Sequence, residues 1–325
     1  MTQDKILCSI STRGRYFTTL PLAIASVINQ SKRVDKIILF DDNDEPQDLR
    51  ADPTYLHLFQ IMDIKNIDWE VAFAPKKGQH YNHQTANTMG YKWVWRVDDD
   101  TVAEYNVLET LWSYAKNDVG AVGGAVLTPP LLFEHIAATG KLENIYIEPS
   151  VQWSNVTQVI EVEHLHCTFL YRAGIFDYNL GLSRVAHREE TLFTYGLKQK
   201  GYKLLVVPNA VTWHLKNPNG GIRSETNEEL FNHDEEIFRN TIYLKDYTIV
   251  VLNNGMGDHI CFKHILAEIK NPIIFSCYPD IVPGRSIQEA KDLFGDIEPY
   301  NIYRKMDEWN WSTSLENAFR KMYVK

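Results

Sequence analysis

The chain is poor in cysteine. Its four cysteines, Cys8, Cys167, Cys261 and Cys277, are scattered over 325 residues and none forms a CxxC pair. That excludes a disulfide framework of the kind that staples small secreted scaffolds. Cys8 and Cys261 sit in apolar stretches, which predicts free, buried thiols in a cytoplasmic protein, where the sequon Asn155-Val156-Thr157 would carry no meaning. No apolar run approaches the ~18 residues of a membrane span. The opening MTQDKILCSIST has too short an apolar run, and too polar a flank, for a signal peptide. There is no low-complexity tract and no internal repeat at a solenoid period. Basic runs are also missing. The net charge of −9 disfavours a general nucleic-acid binder, although a local basic groove is compatible with it.

What is present is apolar material: 44% of residues are hydrophobic and 12% aromatic, enough for one large domain or two unequal ones. Lys5–Ile10 and Lys36–Phe40 read as buried strands, as do Asp68–Ala74, Tyr91–Val97 and Val119–Leu127. Between them, Thr18–Gln30 reads as a helix with Thr19 as N-cap and Pro21 in its first turn. Asn82–Met89 and Val107–Ala115 are further helices. The pattern weakens from Thr128 to Ile160, then resumes with a strand at Cys167–Tyr171, a helix at Arg188–Lys200 and a strand at Lys203–Val207. Strands alternating with helices at short spacing predict an α/β fold with a mostly parallel sheet covered on both faces. Ligands of such sheets bind at the carboxyl ends of the strands.

Glu225–Asp246 is charged and Asn-rich, as a boundary helix and linker would be. A fresh strand follows at Tyr247–Leu252. The turn Asn254-Gly255-Met256-Gly257-Asp258 then opens a helix, and a strand at Ile273–Ser276 and a helix at Ile287–Phe294 complete a small βαβ module. The expected domains are therefore residues 1–245 and residues 246–325.

The stretch YKWVWRVDDDT raises the chemical question. Three aspartates close a buried-looking strand, and two carboxylates ~4 Å apart repel by about 1 kcal/mol in water and about 4 kcal/mol at a protein-like dielectric. If the extended geometry continues, Asp98 and Asp100 share a side at ~6–7 Å, close enough to serve one divalent ion and its phosphates. A capping cluster is the bland alternative. Asp41-Asp42 ends the second strand, where a carboxylate can take hydrogen bonds from a base or ribose, or can simply form an Asx turn. Glu189-Glu190 opens a helix whose dipole stabilises both, yet a carboxylate lining a cleft could take a proton from a hydroxyl. His214 follows a strand and gains meaning as a metal ligand beside an acidic clamp. His164 and His166 share a strand face and have a weaker claim, as acceptor-site or structural residues.

Taken in order (an acidic pair, Asp-x-Asp, an acidic helix start, then Gly-Tyr-Lys, a strand, Pro and His), these signals resemble glycosyltransferase family 2. SISTRGRYFTTLPLAIASVINQSKRVDKIILFDDND, GQHYNHQTAN and FLYRAGIFDYNLGLSRVAHREETLFTYGLKQKGYKLLVVPNAVTWH carry the likeness, from Lys5 to Lys216. The resemblance implies a GT-A nucleotide-diphospho-sugar transferase fold and an inverting reaction dependent on Mn2+ or Mg2+. It implies that a sugar moves from a nucleoside-diphosphate donor to a carbohydrate or other hydroxyl acceptor. By position, Thr12, Arg13, Asp41 or Asp42, Asp98 and Asp99 would bind the donor. Asp100, Asp98 and His214 would hold the metal, and Glu190 or Glu189 would be the base. The chain departs from the family in having Glu-Glu where Glu-Asp is usual, and only an echo of Gly-Gly-Phe-Asp at Gly174-Ile175-Phe176-Asp177.

Three rivals stand beside this reading: a sugar-nucleotide pyrophosphorylase, a transferase acting on a modified nucleic-acid base, and a degenerate protein that only binds sugar nucleotides. STRGRY has one glycine where a pyrophosphorylase wants a glycine-rich basic loop. NNGMGDHICFKHIL faintly resembles the first turn of a heptosyltransferase-like GT-B lobe. With no second lobe to bind a donor, a structural, oligomer-forming or partner-docking role is the better expectation for this module.

Overall fold

The structure, a computed structural model, describes residues 4–129, 158–165, 167–217, 219–242, 248–252, 255–269, 272–276, 285–295 and 300–301. The chain divides into two compact units, Met1–Phe238 and Arg239–Lys325. Cys277, His166, the sequon and most of Thr128–Ile160 lie outside the described residues.

The first unit is α/β. Its strands are β1 (Ile6–Thr12), β2 (Lys36–Asp41), β3 (Asp68–Phe73), β4 (Trp93–Asp98), β5 (Thr101–Ala103), β6 (Val119–Leu127), β7 (Ile160–Val162), β8 (Phe169–Arg172) and β9 (Lys203–His214). The helices are α1 (Leu20–Ile28), α2 (Pro53–Ile64), α3 (Gln79–Asn87), α4 (Val107–Ser113) and α5 (Glu189–Gln199), followed by α6 (Glu228–Ile242). The sheet order is β3-β2-β1-β4-β8-β6-β9-β5, with β7 also paired to β9. β1 to β4, β6 and β9 run one way and β5, β7 and β8 run against them, so the sheet is mostly parallel.

Side-chain alternation along the strands builds a core on each face. Ile6, Cys8, Ile10, Trp93, Trp95 and Val97 pack with Ile24 and Val27 of α1, Phe59 and Met62 of α2 and Leu111 of α4. Leu7, Ile38, Phe40 and Val94 face the other way, toward Ala86 of α3 and Phe193 and Leu197 of α5. Helix α2 has no counterpart among the expected elements. Asp52 caps it through the Thr54 and Tyr55 amides, Pro53 fills its first turn, and Tyr55, Phe59 and Met62 are its buried stripe. Thr19 does stand at the α1 cap position, but its hydroxyl makes no cap bond.

Strand β9 continues through Pro208 to His214 rather than ending at Val207. A register shift against β6 between Gly124 and Ala125 absorbs the proline as a bulge. The backbones come so close there that a Cβ on Gly124 would overlap the Ala210 carbonyl. Gly124→Ala is therefore expected to destabilise the fold by ~1–3 kcal/mol, read from the urea midpoint at unchanged m-value.

Helix α3 carries His80, which is fully buried, with neither ring nitrogen hydrogen-bonded among the described residues. Burial pushes its pKa down to about 4, against the pull of Asp234. Below the unfolded value of ~6.5 the unfolded chain takes up the proton first, so stability is lost as pH falls from ~6.5 toward 4. Neighbouring His83 is also held low, first by burial and then by Arg96, and adds to the same loss. His80→Leu is expected to flatten part of that decline when urea midpoints at pH 7 and pH 5 are compared.

The second unit has β10 (Thr248–Leu252), α7 (Met256–Ile265), β11 (Pro272–Ser276), α8 (Ile287–Phe294) and β12 (Tyr300–Asn301), its strands parallel in the order β10-β11-β12. Leu252, Ile274 and Phe294 form its small core. Cys261 is exposed, contrary to expectation. His259 is the buried residue of α7, with Phe262 and Leu266 packed on the core, and this turns Cys261 outward.

Candidate active site

The carboxyl ends of β1, β2, β4 and β9 meet around a cleft of ≈ 470 Å³. Its acidic lining is Asp42, Asp98, Asp99, Asp100, Glu190 and Glu225. Its basic lining is Arg13, Arg15, Arg96, Arg184 and Arg188, joined by His164, His187 and His214.

Strand register explains why distant residues meet. Ser11 of β1 stands opposite Asp98 of β4, and Thr12 opposite Asp41 of β2. The antiparallel β5–β9 pair sets Thr101 opposite His214, and the Leu215 amide donates to the Asp100 carbonyl at 2.8 Å. His214 Nε2 thereby lies 3.4 Å from Asp100 Oδ2. The three aspartates do not continue the strand as expected. β4 stops at Asp98, Asp99 and Asp100 form a turn, and the Thr101 hydroxyl closes it on the Asp98 carbonyl at 2.8 Å. The backbone turns because β5 must leave β4 to pair with β9 at the far edge of the sheet.

Two buried arginines answer the charge question. Arg15 pairs with Asp99 through Nη1 and lies 3.1 Å from Asp100 through Nη2. Arg96, 1% exposed, reaches Asp98 at 3.1 Å and Glu189 at 2.6 Å. Burial works against both guanidinium charges, but Asp99 and Asp100 for Arg15, and Glu189 and Asp98 for Arg96, raise their pKa values. Burial first, and Asp100 among the other causes, raises Asp98 above its usual range and brings Asp99 to about 6. Cys167, 3.7 Å from His214 Nδ1, has its thiol pushed up by burial and by Asp98 and Asp100.

The expected site residues fall into two groups. Arg13, Asp42, Asp98, Asp99, Asp100, Glu190 and His214 line the cleft. Thr12, Asp41 and Glu189 do not. The Thr12 hydroxyl donates to Asp99 at 2.8 Å and braces the turn. Asp41 accepts from the Tyr16 hydroxyl and from the Asn43 and Gln47 amides. Glu189 faces inward to Arg96, and burial raises its pKa well above the carboxylate range. Asp42 does meet the cleft: it accepts from the Gly78 amide at 2.9 Å and from Asn82 at 3.3 Å, and burial raises its pKa.

Arg188 enters α5 in the left-handed conformation, φ 65, and Ala186 and Cys167, also on the wall, share that region. Such strain persists where the surroundings over-determine it. Here Asp234, fully buried on α6, accepts from the Ser183 and His187 amides at 2.6 and 2.8 Å and holds the segment before α5. Arg15, Arg96 and Asp234 were not among the expected site residues. The only trace of Arg96 in the sequence is a charge at an inward strand position.

Among the described residues, no group of three His, Cys, Asp or Glu side chains is arranged to hold a metal by itself. Magnesium-type ions, however, bind through one or two carboxylates plus substrate phosphates and water. Asp100 Oδ2 and His214 Nε2, 3.4 Å apart on the cleft wall, would offer such an ion one carboxylate oxygen and one imidazole nitrogen.

No protein-family model matches the chain, and no curated protein matches it. No helix among the described residues is long and apolar enough to cross a membrane. Among solved structures, the chain is similar to that of GalNAc-T7 with UDP, GalNAc and Mn2+, at 12% identity and a TM-score of 0.47, over 66% of this chain and 44% of that one. It is also similar to S. aureus TarS, at 13% identity and a TM-score of 0.45, over 66% of this chain and 37% of that one. The likeness thus spans less than half the length of either protein.

Proposed function

We propose that the first unit is an inverting, metal-dependent glycosyltransferase of the GT-A type, related to glycosyltransferase family 2. One observation carries the reading: a carboxylate–histidine pair, a set of arginines and a separate glutamate share a single cleft at the carboxyl end of the sheet. Arginines recognise phosphate oxygens through paired N–H groups, so Arg13 and Arg184 suit a nucleoside diphosphate. Asp42, held by the Gly78 amide and Asn82, offers an acceptor to its ribose or base. Asp100 and His214 would hold a divalent ion, whose charge offsets that growing on the departing diphosphate. Glu190 takes the proton of the acceptor hydroxyl, which attacks the sugar on the face opposite the leaving group and so inverts the anomeric carbon.

The chemistry lies wholly in the first unit, and residues 246–325 serve structure or partner docking. The test is a panel of UDP-, GDP- and dTDP-sugars incubated with the protein and Mn2+. Nucleoside diphosphate should be released from at least one donor, and only with the metal. Release from none of them, with no donor raising the melting temperature, would contradict the proposal.

A further inference from the structure

We propose that Arg15 is a built-in counter-ion to Asp100, which the free protein keeps engaged until a divalent cation arrives together with a diphosphate. This rests on the reading of the cleft as a metal–diphosphate site. The guanidinium spans the acidic turn, Nη1 on Asp99 and Nη2 at 3.1 Å from Asp100 Oδ2. That same oxygen is the one His214 Nε2 approaches at 3.4 Å, so arginine and metal compete for one atom. Arg15 does not depend on Asp100 for its place. Its Nε donates to the Asn219 carbonyl at 3.1 Å and its Nη2 to the Gly220 carbonyl at 3.4 Å. The slot is shaped for it: a Cβ on Gly220 would stand 2.7 Å from Arg15 Cγ, and one on Gly221 would stand 3.0 Å from Nη2. Arg15 can therefore release Asp100 and keep its other partners.

A fixed positive charge in ionic contact with a metal ligand opposes a second cation there. Two further negative charges from a diphosphate reverse the balance. The free protein should accordingly bind the cation weakly, and the ion and the diphosphate should enter together.

Equilibrium dialysis of Mn2+ tests this without turnover, with Mn2+ alone and with inorganic pyrophosphate equal in both chambers. Arg15→Gln is expected to bind Mn2+ alone about tenfold tighter than the wild type, or more, while its melting temperature falls. Damage to the fold alone would move affinity the other way. If Arg15→Gln does not fold, Arg15→Gln with Asp99→Asn removes the stranded carboxylate. Tightening is expected there too, because Asp100 is released at unchanged net charge. A folded variant that binds Mn2+ alone no tighter than the wild type overturns the proposal and leaves the site reading intact. Failure of the wild type to hold Mn2+ even with pyrophosphate overturns the site reading itself.

Discussion

Glu190→Gln is expected to lower sugar transfer by about 10²–10⁴-fold, the usual contribution of a positioned general base. The amide keeps the shape of the side chain but cannot take the acceptor proton. Because Glu190 lines the cleft at the start of α5, away from the Asp100–His214 pair in sequence and in role, nucleoside-diphosphate binding with Mn2+ should be unchanged. The loss should fall on kcat rather than on donor affinity. Steady-state kinetics beside a donor titration separates the two, and transfer at the wild-type rate would remove Glu190 from the mechanism. Glu189, one residue earlier, is buried against Arg96, so Glu189→Gln should show itself in stability instead.

Arg96→Met carries the second large effect. Arg96 lies fully inside the core face of β4, its guanidinium over the Phe169 ring and its Nη2 shared by Glu189 and Asp98. Breaking a buried pair by removing one partner costs ~3–5 kcal/mol, because the remaining charge is left uncompensated. Asp98 is 21% exposed and can turn to water, but Glu189 is fully enclosed. Most of the cost should therefore come from Glu189, and Arg96→Met combined with Glu189→Leu should recover much of it. Urea unfolding of the two single variants and the double variant gives the coupling directly. A loss below ~1 kcal/mol in the single arginine variant would mean that the pair does not hold this face of the sheet.

Much of the scaffold was legible because its strands are short apolar runs with clear turn chemistry. ILCSIST, KIILFD and VGAVGGAVL announce buried parallel strands, and Gly201, at φ 88, stops the helix before β9 as expected. Helix α2 is hard to read from the sequence although Asp52-Pro53 and the Tyr55, Phe59, Met62 stripe encode it, because its exposed Leu56, Ile61 and Ile64 blur the period. The course of Asp98–Asp100 could not be read locally. A strand that turns to pair with a distant edge is decided by tertiary register, as the Thr101–His214 pairing shows. The acidic and histidine members of the cleft stand out in the sequence because few residue types bind cations. Arg15 and Arg96 do not, since their meaning lies in contacts across the sheet rather than in spacing. Glu189 and Glu190 likewise differ in a way spacing does not reveal, Glu189 being buried against Arg96 and Glu190 standing on the cleft wall.

The most direct test of the central claim is an anomalous diffraction map from crystals soaked with Mn2+ and a hydrolysable or inert sugar nucleotide. One manganese peak is expected at ~2.0–2.4 Å from both an Asp100 oxygen and His214 Nε2, with the diphosphate beside it and Arg15 withdrawn from Asp100. Manganese bound elsewhere on the protein, or a well-ordered cleft with neither ion nor diphosphate at saturating concentrations of both, would contradict it.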